Sequence, residues 1–255
     1  MVTKKTVATI LAVAVVLFAA IFAAGCTGSD DNTLVVATNA EFQPYEFFDE
    51  GNIVGIDMEI MGAVAKDLGM TLKIENMEFG AVINAVVSGK ADIVAAALTV
   101  IEDRKKNVDF TQTYATSKQV IVVNKTATGK IVKGVDDLAG AKIGVQLGTT
   151  GDIYITDEYE GDEAGTQIIR QNKITEAFQE LNQKKIDAIV VDEQPAIKYS
   201  ALSSDLVILE EEFALEDYAF AVKKGNTDLL NKVNASIDKL KADGTFDAIV
   251  AKYIN

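Results

Sequence analysis

From residue 33 onward the apolar positions change period again and again. Leu34-Val35-Val36-Ala37-Thr38 is an unbroken run rich in β-branched residues, the pattern of a buried strand. Ile56, Ile60, Ala63, Val64 and Leu68 recur at helical spacing, and Gly69 supplies the left-handed residue that ends such a helix. Leu72-Lys73-Ile74-Glu75 alternates as a strand does. Ala81 to Val87 reads as a helix stopped at Ser88-Gly89, and Ala91 to Ala96 returns as a strand. Near the end, Thr227 is the expected cap of a helix with Leu230, Val233, Ile237 and Leu240 on one face, and Gly244 stops it. A short helix over 246–253 closes the chain. Strands alternating with helices predict an α/β fold whose mainly parallel sheets are covered by helices.

The order helix, Lys-containing turn, Asp and apolar strand occurs twice, over 79–94 and over 175–190. A separation of about a hundred residues is too long for a solenoid. The echo is either chance recurrence of a common unit or the mark of two similar α/β lobes. Two lobes would leave a cleft at the carboxyl ends of their parallel strands, where open α/β sheets take ligands.

The first 25 residues have another pattern. Lys4 and Lys5 precede an uncharged, mostly apolar run from Thr6 to Gly25, and Ala23-Ala24-Gly25 lead to the only cysteine, Cys26. Basic, apolar, small-residue order is that of a signal peptide. Uncleaved, the run is long enough to span a bilayer. Thr27 to Asn32 reads as a polar leash.

Composition narrows the chemistry. The 255 residues include no His, which removes Ser-His-Asp and Cys-His catalysis and His-ligated metals. One Cys removes disulfide frameworks, thiolate zinc cages and iron–sulfur clusters. The 24 basic and 38 acidic residues give a net charge of −14. Taking away residues 1–25, which hold two Lys and no acid, leaves 22 against 38, a net of −16. Such a chain is a poor partner for nucleic acid. Only two of the basic residues are Arg, Arg104 and Arg170.

Chemistry gathers where strands end. Ala97-Leu98-Thr99 follows the first echoed strand, with Arg104 five residues on; Asp192 follows the second. A guanidinium fork suits a carboxylate, and an Asp suits an ammonium. A free amino acid carries both on one carbon. Arg104 can equally belong to a solvated helix start, and Asp192 can simply cap the next helix. Gly144 to Asp152, with Gln146, Thr149 and Thr150, runs from strand through glycine turn to helix; it is either a capped turn or an anion site. It matches neither the dinucleotide fingerprint nor the P-loop. Asn39 to Phe47, with Phe42, and Phe79 on the echoed helix offer aromatic walls, or ordinary core. Asn124 and Asn234 head glycosylation-like triplets.

Several segments in order carry a resemblance: Ala37 to Phe47, Gly51 to Glu59, Ala97 to Lys106, Val108 to Tyr114, Gly144 to Gly151, Ile186 to Asp192 and Leu240 to Phe246. From residue 33 to 255 the chain resembles the family 3 extracellular solute-binding proteins of polar amino-acid ABC importers, and Cys26 resembles the lipidated cysteine of prokaryotic lipoproteins. The resemblance implies a two-lobed periplasmic-binding-protein fold of type II. It divides the chain into a signal peptide (1–25), a polar linker (26–32), lobe one (33–116), lobe two (117–215) and a return to lobe one (216–255), with crossings near 115–119 and 213–217. By position, Arg104 would clamp the α-carboxylate, with Thr99, Thr150 and the backbone N–H groups around them sharing it, and Leu98 and Thr149 are counted among the binding residues. Asp192 and the Ala97 carbonyl would hold the ammonium, Phe42 and Phe79 would sandwich the side chain, and Asn39 and Gln146 would meet its far end. Ala96-Ala97 replaces a frequent Ser or Gly, and Ile101-Glu102 replaces a frequent Thr-Pro, leaving the Arg104 helix poorly capped. Expected partners are a free L-amino acid, importer subunits and, through Cys26, the outer face of the membrane. The receptor is expected to be monomeric, without cofactor, metal or nucleic acid. The rival readings are a cyclic-carboxylate dehydratase on the same fold, with Glu41 or Glu193 as acid, and a sensor presenting ligand to a separate receptor.

Overall fold

A computed structural model of the chain describes residues 32–254. The predicted signal segment 1–25, Cys26 and the leash up to residue 31 lie outside the described residues, as does Asn255. The elements in chain order are β1 (Thr33–Thr38), β2 (Glu41–Phe42), β3 (Glu46–Asp49), β4 (Asn52–Val54), α1 (Ile56–Asp67), β5 (Thr71–Asn76), a 3₁₀ turn at Phe79–Ala81 leading into α2 (Val82–Ser88), β6 (Ile93–Val94), α3 (Glu102–Lys105), β7 (Val108–Phe110) and β8 (Ala115–Asn124). There follow β9 (Lys142–Gln146), α4 (Thr150–Tyr159), β10 (Gln167–Gln171), α5 (Ile174–Asn182), β11 (Ala188–Asp192), α6 (Glu193–Ser200), β12 (Leu206–Tyr218), β13 (Ala221–Lys223), α7 (Thr227–Ala242) and α8 (Thr245–Tyr253).

Ten of the strands form two five-stranded sheets, in the orders β5-β1-β6-β13-β7 and β10-β9-β11-β8-β12, and β2-β3-β4 form a small antiparallel sheet. Both five-stranded sheets are mixed. β1 runs parallel to β6, and β9 runs parallel to β10 and β11. The strands brought by the crossing and returning chain, β8, β12 and β13, pair antiparallel. The echo has a structural counterpart: α2–β6 and α5–β11 are equivalent units, and each strand lies third of five in its sheet.

Both faces of each five-stranded sheet are covered, which explains the unbroken apolar runs. In β1, Leu34 and Val36 pack with α1 and α7, while Ala37 turns to the cluster around α2. In β11, Ile189 and Val191 pack with α5, and Ala188 and Val190 with α4. The chain passes between the sheets along β8 and back along β12. These paths are one antiparallel ribbon, in which Ala115, Thr116, Ser117 and Gln119 face Tyr218, Asp217, Glu216 and Ala214.

Local details refine the sequence reading. Gly69, at φ 70°, ends α1 as expected. The cap of α7 is Asn226, one residue before Thr227, with its side chain accepting from Leu229 N. The strand expected over 91–96 is only Ile93–Val94, because the backbone turns at Ala97, a non-glycine residue at φ 44°. Asn124 is buried, its amide bonded to Leu181 O and Thr126, so the side chain of that triplet is committed inside the fold.

Candidate functional site

The parallel strands of both sheets end around one small cavity, lined by Phe42, Phe79, Ala96, Ala97, Thr99, Arg104, Gln146, Thr149, Thr150 and Asp192. β1 ends in the loop carrying Asn39 and Phe42, and β6 in the turn Ala97–Thr99 that leads to Arg104. β9 ends at Gln146 and the Gly148–Thr150 turn, and β11 at Asp192. Nine of the eleven residues singled out as binding residues therefore line a single space. Asn39 stands just behind it and accepts from Gln146 Nε2 at 3.0 Å. Leu98 is the exception. Its side chain is wholly buried in the cluster with Val82, Val86 and Val94, and its carbonyl accepts from Ala219 N.

Arg104 sits on the short α3, whose cap position is Ile101 without a side-chain cap bond. The residue is 6% exposed. Nη1 donates to Thr99 O at 2.9 Å and Nη2 to Gly148 O at 3.1 Å, and the group lies 5.5 Å over the Phe79 ring. Burial lowers its pKa to about 10, with Glu216 and Asp192 opposing that shift through space. Backbone carbonyls use part of a five-donor fork and leave the remainder without a counter-ion, so the site has excess capacity for a carboxylate.

Asp192 occupies the N-cap position of α6, but its carboxylate makes no cap bond there. It accepts instead from the Tyr218 hydroxyl and borders the cavity. The capping reading of Asp192 is therefore not met by its side chain, which borders the cavity instead. Burial, and then the neighbouring Glu216, push its pKa up to about 7. An ammonium placed against it would restore the charged form.

The glycine turn is built by its own polar groups. Gly148 takes φ +80°, and its N–H donates to Asp152 Oδ2 at 2.9 Å. The Thr149 hydroxyl donates to Gln146 O and accepts from Asp152 N, so it is spent on capping α4. At a helix start the leading N–H groups, here those of Thr150 and Gly151, face outward as donors for an anion. A Cβ on Gly151 would lie 2.9 Å from Val190 O, so only glycine lets the helix start sit this close to β11.

Several functional neighbours escaped the sequence reading. Asp57, in the first turn of α1, accepts from Ala97 N at 3.0 Å and from the Tyr114 hydroxyl at 2.6 Å, which pins the left-handed turn beside the cavity. Burial pushes its pKa up to about 7, and Glu46 beside it is raised well above the carboxylate range by burial and the Asp57 charge. Its signal was phase: position 57 shares the apolar face with Ile60, Met61 and Val64. Glu216 and Gln119, both buried on the β8–β12 ribbon, were also missed. Glu216 is in phase with buried Tyr218 in a strand whose intervening residues, Leu215 and Asp217, face out.

At the rim, Glu41 meets Lys173 at 3.0 Å and its carbonyl accepts from the Tyr199 hydroxyl at 2.7 Å, while Asn172 donates to Glu78. Glu193 pairs with Lys118 at 3.1 Å. A wider surface groove beside Tyr114 and Phe246 has one charged lining residue, Asp247, and no cation. Among the described residues no group of three or more Cys, Asp or Glu is arranged to hold a metal ion, and no helix is long and apolar enough to cross a membrane.

Known proteins resemble the chain over most of its length. The family described as bacterial extracellular solute-binding proteins, family 3, matches residues 34–255. A probable histidine-binding protein of Neisseria gonorrhoeae is 34% identical over 224 residues, covering 86% of this chain and 81% of its own. The structure of an ancestral arginine-binding protein bound to arginine superposes with a TM-score of 0.82 at 39% identity, covering 88% and 99% of the two chains. An ancestral amino acid-binding protein described as a precursor of cyclohexadienyl dehydratase superposes with a TM-score of 0.78 at 34% identity, over 88% and 96%.

Proposed function

The chain belongs to the bacterial extracellular solute-binding proteins, family 3, and on that basis we propose that it takes up one free polar L-α-amino acid in the cavity between its two sheets. Its relatives are amino-acid-binding proteins of ABC transporters. In the proposal the chain works outside the cytoplasm as a monomer, held to the membrane by a lipid on Cys26, and hands its ligand to an ABC importer.

One observation carries the reading: a buried Arg104, hydrogen-bonded among the described residues only to backbone carbonyls, lines the same small cavity as a buried Asp192. Arg104 takes the α-carboxylate together with the first N–H groups of α4. Asp192 and the Ala97 carbonyl take the ammonium. Phe42 and Phe79 flank the side chain, and Gln146 with Asn39 meets its far end. A ligand missing either charge strands a buried partner, so discrimination against such analogues is steep. Micromolar affinity requires about −8 kcal/mol, within reach of a ligand of about ten heavy atoms. Lobe closure over the ligand is the signal an importer can read.

A thermal-shift screen against the twenty L-amino acids, ornithine, citrulline and cystine, followed by calorimetry, tests the proposal. A shift with at least one free amino acid and none with simple carboxylates is expected; no shift with any would overturn it. The dehydratase reading has a favouring observation, since Asp57 and Asp192 are buried acids raised to about 7. Its sequence candidates, Glu41 and Glu193, are instead ion-paired with Lys173 and Lys118. Ring loss on incubation with prephenate or arogenate would establish that reading; none is expected.

A further inference from the structure

Four buried side chains connect the two sides of the cavity through the β8–β12 ribbon. Thr99 Oγ1, at the end of β6, lies 3.1 Å from Glu216 Oε2. The same oxygen accepts from Gln119 Nε2 at 3.1 Å, and that nitrogen also donates to Thr150 Oγ1 at 3.2 Å. Their residue exposures run from 0% to 4%, so water does not compete for these bonds. Thr99 and Thr150 both line the cavity, whereas Glu216 and Gln119 lie behind them.

A hydroxyl has one hydrogen, and a carboxylate only accepts. Thr99 must therefore give its hydrogen to Glu216, which leaves it only lone pairs to turn toward the cavity. Thr150 is the reverse case. An amide N–H already fills one of its lone pairs, so its own hydrogen is free to point into the cavity. Two chemically identical side chains are set to opposite polarity.

We propose that Glu216 and Gln119 are positioning residues that make Thr99 an acceptor for the ligand ammonium and Thr150 a donor to the ligand carboxylate. The inference rests on the amino-acid reading above and deepens it. It moves Thr99 from the carboxylate end, where resemblance puts it, to the ammonium end beside Asp192. It also gives the hinge a part in selectivity. Because Glu216 and Gln119 stand on the two strands that join the lobes, the polarity of the site depends on the ribbon being assembled.

The experiment measures three dissociation constants by calorimetry for each protein: the tightest amino acid of the screen, its des-amino acid and its decarboxylated amine. In the parent, both analogues bind at least about a hundredfold more weakly. Thr99→Val keeps the shape and removes the acceptor; it is expected to cut the preference over the des-amino acid by about tenfold while leaving the preference over the amine within about twofold. Thr99→Ser is expected to restore the parent pattern. Glu216→Leu is expected to reproduce the Thr99→Val pattern, and Gln119→Leu to shift the preference over the amine instead. Thr99→Val and Thr99→Ser keep the test valid if Glu216→Leu does not fold. Equal weakening of all three ligands in Thr99→Val and Glu216→Leu, the sign of a merely structural role, would overturn the relay while leaving the amino-acid reading intact. A parent that binds none of the amino acids would overturn that reading and the relay with it.

Discussion

Two arginines converge on one turn and are used in opposite ways. Arg104 reaches Gly148 O from the first lobe and, among the described residues, otherwise bonds only Thr99 O, with Phe79 beneath it. Arg170, on β10 of the second lobe, donates to Asp152 at 2.7 Å, to Thr156 at 2.7 Å and to Glu160 at 3.2 Å. Asp152 in turn accepts from Gly148 N. The same four-atom stretch of backbone is thus gripped from one side by a cation fully paired with carboxylates and from the other by a cation that has none bonded to it among the described residues. Electrostatics reports the contrast. Burial pulls the Arg104 pKa down to about 10, while the carboxylates on Arg170 outweigh its smaller desolvation and raise it. A buried charge without a counter-ion costs stability, and its retention points to a partner that arrives from outside. A charge paired twice is already spent on holding the loop.

The contrast can be broken in four ways. The largest effect is expected from Arg104→Ala, a loss of about 3–5 kcal/mol of binding, on the order of two to four decades in affinity. Circular dichroism should be unchanged, because the variant removes a buried charge. Asp192→Asn should weaken binding by roughly ten- to a hundredfold in calorimetry, as removal of a charged hydrogen-bond acceptor does. Arg170→Ala should cost about threefold to tenfold, acting through Asp152 on Gly148. It should also lower stability by about 1 kcal/mol, since the pair is partly exposed. An Arg170→Ala loss equal to that of Arg104→Ala would erase the distinction between the two residues.

The smallest effect is a pair of opposed pH trends. Folded Asp57 and Asp192 titrate at about 7, whereas their unfolded counterparts release the proton near 4. Their contribution to stability is therefore fully present below about pH 4 and is lost as pH rises through about 7. In the proposed site the ligand ammonium needs ionised Asp192, so affinity should fall as pH drops below about 7, by at most about tenfold per unit. Melting curves of the free protein and calorimetry across pH 5–8 check both signs. Asp192→Asn should flatten the affinity trend.

Sequence legibility followed the same division. Arg104 and Asp192 could be singled out because one follows an apolar strand through a short connection and the other ends one, where backbone topology brings chemistry together. Arg170 could not be assigned, because its partners lie on the next helix before it. Asp152, Thr156 and Glu160 recur every fourth residue along α4, a polar stripe whose facing strand is known only once β10 pairs with β9. Glu216 and Gln119 became visible through the ribbon register. Leu98 shows the opposite limit: its place in a family-like segment is set by backbone, while its side chain belongs to the core. The turn at Ala97 shortened the expected strand because Asp57, some 40 residues earlier, holds its N–H.

The most direct test is a crystal structure of the protein with its tightest-binding amino acid. The account predicts the ligand carboxylate within hydrogen-bonding distance of the Arg104 guanidinium and the first N–H groups of α4, with Arg170 still on Asp152 and Glu160. A ligand carboxylate bound elsewhere, with Arg104 left on its two carbonyls, would contradict it.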